Sequence, residues 1–381
     1  MKYMGSKRWM LDNGLGHVLI DRARQHERFV DLFSGTAAVS WHVAVNVDVP
    51  VLAVDLQVYS EVLAKSVIGR TRSYDSARLR TEWLSVACSQ LLELSPSAVW
   101  ARDDDAPIGP GDVMDARELC AKSHRLISRS YGGYYFSPFQ ALAIDLLLDN
   151  LPAREPERSI CLAALISAAA RCAASPGHTA QPFQPSAGAL PYLREAWAKD
   201  IFKACAELLG LIAGQAALQR GHAMVGDALT VAVDAISKTD LVFLDPPYSA
   251  AQYSRFYHVL ETIARGSCGP VSGVGRYPPF AERPRSLFSL AGEASSAMTH
   301  LLETLGKRGC GVVMTFPQHG CSNGVVGESL IGAAREWFEV DVTAVRTRHS
   351  TLGGNNSGRS ARRSSVELIL SMQPRRRKAL G

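Results

Sequence analysis

The chain has 381 residues, 47% hydrophobic and 20% charged, which is enough to bury a full core and excludes a disordered polar chain or a disulfide-stapled miniprotein. At roughly 150 residues per domain this length is two or three units, or one large domain carrying an insertion. The net charge is only +5, but the stretch Arg346–Lys378 sets nine basic residues against Glu367 alone, a local +8 that leaves the rest of the chain at −3 and points to a polyanionic partner.

In chain order, Phe29–Phe33 is a short apolar run that stops at Ser34-Gly35-Thr36, and an amphipathic stretch, Ala37–Val47, follows. Pro50 breaks it, and Val51–Val54 reads as a second buried strand ending in Asp55. Strand, glycine turn, helix, strand is a βαβ unit, so an α/β fold with a parallel sheet is expected. From Ser73 to about Gly214 the periodicity is helical, with no convincing strand. Within it, Asp103–Asp115 reads as a loop. Ser137-Pro138 caps a helix over Phe139–Leu151, Ser159–Ala174 is a buried helix, and Ser175–Gly188 is irregular. That region is too long for a connection and reads as a helical insertion.

Strands resume at Ala223–Gly226 and at Leu241–Leu244, the latter running into Asp245-Pro246-Pro247-Tyr248. Ala251–Ala264 reads as a helix, Gly266–Phe288 as a Gly/Pro/Arg-rich loop, Gly311–Phe316 as a strand and Val326–Phe338 as a helix. Val340–Thr347 and Ser365–Ser371 form a hairpin across a glycine-asparagine loop. The expected division is therefore a core in two parts, 1–72 and 215–372, a helical insertion over 73–214, and a basic tail over 373–381. The eight cysteines show neither a Cys-x-x-Cys pair nor a zinc-ligand spacing, so a reducing compartment and no metal are expected. No apolar signal core opens the chain and no apolar run approaches the ~20 residues of a membrane helix, so the expected location is cytoplasmic.

Three clusters carry chemistry. In an open α/β sheet, ligands bind outside the carboxyl ends of strands, which is where Asp245-Pro246-Pro247-Tyr248 falls. Two consecutive prolines remove two amide donors and stiffen the backbone. The Asp245 carboxylate and the Pro246 carbonyl then face outward as acceptors for a planar amine, with Tyr248 able to stack on the ring that bears it. A capping Asp at a proline-rich strand end is the plain reading, and the matching βαβ unit upstream makes it the weaker one. The second cluster is Asp31-Leu32-Phe33-Ser34-Gly35-Thr36 with Asp55 after the next strand: a small-residue turn lets a ligand approach a helix N-terminus, and the acid can take both hydroxyls of a ribose. The third, Lys2–Arg8, places an aromatic and a lysine beside a Gly-Ser turn.

Taken together, Tyr3-Met4-Gly5-Ser6-Lys7, Asp31-Leu32-Phe33-Ser34-Gly35, Asp55, Gly226-Asp227-Ala228 and Asp245-Pro246-Pro247-Tyr248 resemble the Dam-like, alpha-group DNA adenine-N6 methyltransferases of bacteria and phages. The resemblance extends to Tyr134-Tyr135-Phe136-Ser137 with Gln140-Ala141, to Tyr257-His258 with Glu261, and to His349-Ser350 with Glu367. It implies a Rossmann-like methyltransferase fold and S-adenosylmethionine as methyl donor. Tyr3 and Lys7 match the family's N-terminal donor-binding pair, Phe33, Ser34 and Gly35 with Asp31 the turn beneath the donor, Asp55 the ribose acid, Asp227 the residue near the donor adenine, and Asp245 the catalytic aspartate. Ala37 departs from the pattern, which often has a second glycine there; tighter packing rather than lost binding is expected.

Duplex DNA is then the expected partner, with the target adenine flipped out of the helix. Candidate DNA contacts are Arg276, Arg283 and Arg285 after the catalytic motif, with Tyr277 and Phe280 interleaved, and Arg359, Arg362 and Arg363 in the hairpin. The insertion is the expected target-recognition region. A restriction or defence nuclease is the expected cognate partner. The same pocket chemistry also fits cytosine N4, RNA adenine or a protein amide, and a silent DNA-binding methyltransferase fold is the non-enzymatic alternative.

Overall fold

The computed structural model describes residues 7–94, 108–318, 321–350 and 362–375, with the side chains at 347–350 and 362–365 outside that description. The described residues gather into two compact units: one holds Arg72–Gln215 and Ser254–Pro284, the other holds the remainder. The contacts thus group Ser254–Pro284 with the helical unit, where the sequence pattern ran one core segment straight through 215–372.

The α/β unit is built on a seven-stranded sheet. In chain order the strands are β1 (Arg28–Asp31), β2 (Val51–Asp55), β3 (His222–Val225), β4 (Asp240–Leu244), β5 (Gly311–Pro317), β6 (Phe338–Ser350) and β7 (Arg362–Pro374). Their spatial order is β3-β2-β1-β4-β5-β7-β6, with β1 to β5 parallel and β7 antiparallel to both neighbours. Every residue of β4 is buried, as expected for a strand covered on both faces. The order reverses at β1, because β2 lies on one side of it and β4 on the other. Strand ends beside such a reversal leave a crevice. The register Asp31↔Phe243 brings the two main motifs of the sequence to that one place. At the opposite end of the same strands, Arg28 donates to Asp240 through Nε at 3.0 Å and Nη2 at 2.7 Å.

The α/β expectation holds, and three local differences have physical reasons. The start of the chain is helical from Arg8 to Ala23, with a kink where Asn13 and Gly14 leave helical geometry. Leu11, Leu15, Leu19 and Ala23 are all buried at a four-residue spacing, a pattern that the interleaved charges obscured. The helix Ala294–Arg308 fills the interval between the basic loop and β5. It buries Ala297, Met298, Leu301, Leu302 and Leu305 and ends on the left-handed Gly309. The terminal hairpin pairs from Phe338↔Pro374 to Ser350↔Arg362, so both strands outrun the apolar segments that announced them.

In the helical unit the described part of the insertion forms no strand. Its helices include Ser85–Leu94, Pro110–Ala121, Leu126–Tyr131, Pro138–Asp149, Glu157–Cys172, Leu190–Trp197 and Ile201–Gly214. The loop expected over Asp103–Asp115 is corrected in its described part: Pro110 opens a helix, with Gly109 as its N-cap and Asp112 accepting from the Gly109 N–H at 2.7 Å. Ser137 caps as expected, accepting from Gln140 N and donating its own N–H to Gln140 Oε1, both at 3.1 Å. The expected single helix over Ala251–Ala264 is two, Tyr253–Phe256 and His258–Arg265. The Phe256 carbonyl accepts instead from Thr179 N at 2.6 Å and Thr179 Oγ1 at 2.7 Å, which takes it out of the helical ladder.

Asp145 in the helix Pro138–Asp149 caps its neighbour Leu126–Tyr131, accepting from Ile127 N at 2.7 Å, Ser128 N at 2.9 Å and Ser128 Oγ at 2.7 Å while 3% exposed. Asp145→Ala orphans two buried N–H groups, and denaturant unfolding is expected to show a loss of about 2–4 kcal/mol; an unchanged midpoint would mean that water replaces the cap.

Candidate active site

The site lies in the α/β unit, at the carboxyl ends of β1, β2 and β4. The turn after β1 is tight. Gly35 is at φ 49 and Ala37 at φ 59, both left-handed. Ala37 thus occupies, with a fully buried methyl, a conformation that glycine adopts without strain. Inside the turn Asp31 is buried and wholly engaged: Oδ2 accepts from Ser40 Oγ at 2.7 Å and Oδ1 from Phe33 N at 3.3 Å. Burial pushes the Asp31 carboxyl up to about 7, against the pull of those hydrogen bonds. Ser34 Oγ meets Ser60 Oγ at 2.9 Å, and the Phe33 ring packs edge-on to Phe288 at 5.0 Å.

Asp55 binds this turn to the end of β2, accepting from Gly35 N at 2.9 Å and Gln57 N at 3.0 Å. Burial raises its proton affinity and the backbone N–H groups oppose the rise. The Ser60 hydroxyl and the Leu56 N–H also donate to it, so four groups of the protein share its two oxygens. Gln57 is 3% exposed, and its Nε2 has no hydrogen-bond partner among the described residues. Asp227 follows β3, the strand beside β2, and caps the helix Ala228–Asp234, accepting from Leu229 N at 2.9 Å and Thr230 N at 3.4 Å.

The loop after β4 is held from several sides. Asn323 Nδ2 donates to the Pro247 carbonyl and to the Phe288 carbonyl, each at 2.9 Å. Tyr248 donates its hydroxyl to the Thr315 carbonyl and sets its ring edge-on to Phe316 at 5.2 Å, which fixes the ring plane. Asp245 receives Thr315 Oγ1 at 2.9 Å and the Lys7 ammonium at 3.1 Å, both on Oδ1. No described residue donates to Asp245 Oδ2 or to the Pro246 carbonyl. Among the described residues, two acceptors are therefore left open at the strand end. Burial raises the proton affinity of Asp245, Lys7 lowers it, and the like charge of Glu367 adds to the rise.

Lys7 is the centre of the charge arrangement. Its ammonium also reaches Glu367 Oε2 on β7 at 2.8 Å, with all three side chains largely withdrawn from solvent. Burial works against its charge, but Asp245 and Glu367 together outweigh that and hold it protonated. Tyr253 stands in the field of Asp245, Lys7 and Asp55, its phenol pushed up to about 12 mainly by burial.

The structure therefore brings Lys7, Asp31, Phe33, Ser34, Gly35, Asp55, Asp227 and Asp245–Tyr248 to neighbouring strand ends. Tyr3 and Arg359 lie outside the described residues, and Arg362 and Arg363 lie on β7 with undescribed side chains. Arg285 is exposed in the α/β unit. Arg276 and Arg283 lie in the helical unit. Arg276 donates to the Ser130 and Arg129 carbonyls at 2.9 and 3.0 Å and lies over the Tyr134 ring at 4.6 Å. Arg283 lies over Tyr277 and Phe280 at 5.4 Å each. Sequence reasoning did not single out Thr315, Asn323, Gln57 or Tyr253, and gave Glu367 no role. Each is an ordinary residue type at an unmarked position, recognisable only once the sheet order is known.

A reversed parallel sheet with a glycine turn after β1, an acid after β2 and a fixed Asp-Pro-Pro-Tyr loop after β4 defines a Rossmann-like methyltransferase. The model of the D12 class N6 adenine-specific DNA methyltransferase family matches residues 3–93 and 211–275. The type II methyltransferase M.NlaIII of Neisseria lactamica is 26% identical over 279 residues, covering 69% of each protein. The type II methyltransferase M.FokI of Planomicrobium okeanokoites is 38% identical over 64 residues, 17% of this chain and a tenth (10%) of that protein's length. The chain is thus similar to the D12 class of N6 adenine-specific DNA methyltransferases over both segments that carry the site.

Asp31 yields a pH prediction. Its folded value of about 7 exceeds the ordinary 3.8, so its contribution to stability is full below pH 4 and is lost as pH rises through 7. Asp31→Asn lacks this loss. Unfolding curves are expected to swing by about 1–3 kcal/mol in favour of the variant between pH 4 and pH 8. Parallel pH profiles would show that Asp31 ionises normally.

Proposed function

We propose that the protein transfers a methyl group from S-adenosylmethionine to N6 of an adenine at a specific site in duplex DNA. The observation that carries this reading is the pair of open acceptors, Asp245 Oδ2 and the Pro246 carbonyl, at the end of β4. The amine of adenine carries two hydrogens, and its lone pair is delocalised into the ring. Two acceptors on those hydrogens favour a pyramidal nitrogen with its pair localised and aimed. The amine is paired within a duplex, so the base must leave the stack to reach them. The Tyr248 ring, fixed by Thr315 and Phe316, is a stacking surface for the extruded base.

The residues present fit the donor. When bound, S-adenosylmethionine supplies an electrophilic methyl group on a sulfonium. Asp55 stands at the end of β2 as the acid for a ribose diol, which would share its oxygens with the protein's own donors, the left-handed Gly35 keeps side chains away from the turn, and the buried Gln57 amide lacks a partner among the described residues. The protein's contribution is positioning and charge: the amine is held by Asp245 and Pro246, and no covalent enzyme intermediate is needed.

The helical unit is proposed to read the target. Arg276 and Arg283 are carried there on a frame of tyrosines, with Tyr277 donating to the Ala180 carbonyl at 2.5 Å and receiving Arg255 Nε at 2.9 Å. Guanidiniums preset in this way suit phosphate contacts. Arg285 and the hairpin residues Arg359, Arg362 and Arg363 are proposed as further phosphate contacts. The relatives are named type II methyltransferases, which favours the modification half of a restriction system. A DNA substrate favours a cytoplasmic location.

Purified protein incubated with unmethylated DNA and labelled S-adenosylmethionine is expected to yield N6-methyladenine on nucleoside mass spectrometry, and Asp245→Ala to lower the yield by at least a hundredfold. N4-methylcytosine as the product would overturn the base assignment. Donor binding without any methylated base would support a silent DNA-binding fold.

A further inference from the structure

The arrangement around Lys7 goes beyond what the proposed transfer requires. One cation would neutralise Asp245, yet the site holds a second carboxylate, Glu367 of β7, 5% exposed. A buried charge is costly, and the ammonium that Glu367 contacts offsets part of that cost. The ammonium is nearer to Glu367, at 2.8 Å, than to Asp245, at 3.1 Å. The group of three carries net −1 rather than zero.

We propose that Glu367 is a positioning residue for Lys7: it draws the ammonium toward β7, so that Asp245 keeps negative charge to offer the incoming amine. This rests on the reading of Asp245 as the group that accepts from the adenine amine. Three consequences follow from the geometry. Lys7 shares Oδ1 with Thr315, which turns Oδ2 away from both donors. The cation is held between two anions rather than collapsed onto one. Asp245 also remains the better proton acceptor, the direction in which Glu367 acts on it.

Among the described residues, the ionisable groups that act on Asp245 are Lys7 just ahead of the first helix, Asp31 at the end of β1, Tyr248 and Tyr253 after β4, and Glu367 from β7. The hydrogen bond between Lys7 and Glu367 lies outside the turn after β1 and the loop after β4. Glu367→Gln keeps an acceptor for Lys7 and removes the charge.

The test is a titration of Asp245 by NMR on protein carbon-labelled at the aspartate carboxyl, with the resonance assigned from Asp245→Asn. It needs no turnover, so it reports on this inference even where nucleoside analysis of the wild type finds no N6-methyladenine, the result that would defeat the functional reading. In Glu367→Gln, Asp245 is expected to titrate about one pH unit lower than in the wild type. In a Lys7→Met background the same substitution is expected to move it by less than half as much, because the competition for the ammonium is gone. For enzyme that methylates DNA, kcat for Glu367→Gln is expected to fall about tenfold, with donor affinity within twofold and the acidic limb of the rate profile displaced downward. An unmoved or higher Asp245 titration, or an equal shift in both backgrounds, would overturn the proposal. So would Glu367→Gln protein that loses thermal stability while its Asp245 titrates as in the wild type. If Glu367→Gln fails to fold, Glu367→Asp serves in its place. It retains the charge on a shorter arm and is expected to give a smaller downward shift, and a rise there would overturn the proposal.

Discussion

The site depends on one buried cation. Lys7 lies near the start of the chain, Asp245 in its second half and Glu367 close to its end, and a single ammonium touches both carboxylates. That contact favours the ionised form of both acids against the cost of burial. The fold meets this requirement by placing β4 and β7 on either side of β5, with Lys7 at the N-cap of the first helix. Thr315, on the intervening strand, adds a neutral donor to the same oxygen that Lys7 holds. The charge arrangement therefore fixes which oxygen of Asp245 faces outward.

The sheet order explains why the two main motifs are adjacent. β1 is flanked by β2 and β4, so the glycine turn, Asp55 and the Asp-Pro-Pro-Tyr loop end at neighbouring strand ends although about 200 residues separate them in sequence. The turn is rigid. Asp31 holds it from inside with Ser40 and Phe33, and Asp55 holds it from the next strand through Gly35 and Gln57. Two of the acids that the sequence assigns to cofactor binding thus shape the turn as well. Asp31 has both oxygens engaged within the protein, and Asp55 accepts from Gly35, Gln57, Leu56 and Ser60.

Much of this was legible in the sequence, for identifiable reasons. Strands buried on both faces are continuous apolar runs, so β1, β2, β4 and β5 announced themselves, and the motif residues follow them directly. The Ser137 cap and the long helical insertion were equally plain from capping chemistry and period. What the sequence hid depends on partners far along the chain. The helix Arg8–Ala23 has its apolar ladder broken up by charges, and the break at Tyr257 comes from Thr179, 77 residues before the Phe256 carbonyl that it takes. Glu367 has no local signature, being one acid in a basic segment until β7 is laid beside β5. Ala37 reads as a harmless replacement for glycine, yet it adopts a left-handed backbone with its methyl buried.

The most direct test of the account is to express the chain in a bacterium lacking its own DNA methylation and to read the modified bases of the host genome by single-molecule sequencing. The account predicts N6-methyladenine at nearly every copy of one short sequence and at few other positions. An unmodified genome in cells that contain folded, donor-binding protein would contradict it, as would methylation confined to RNA or protein.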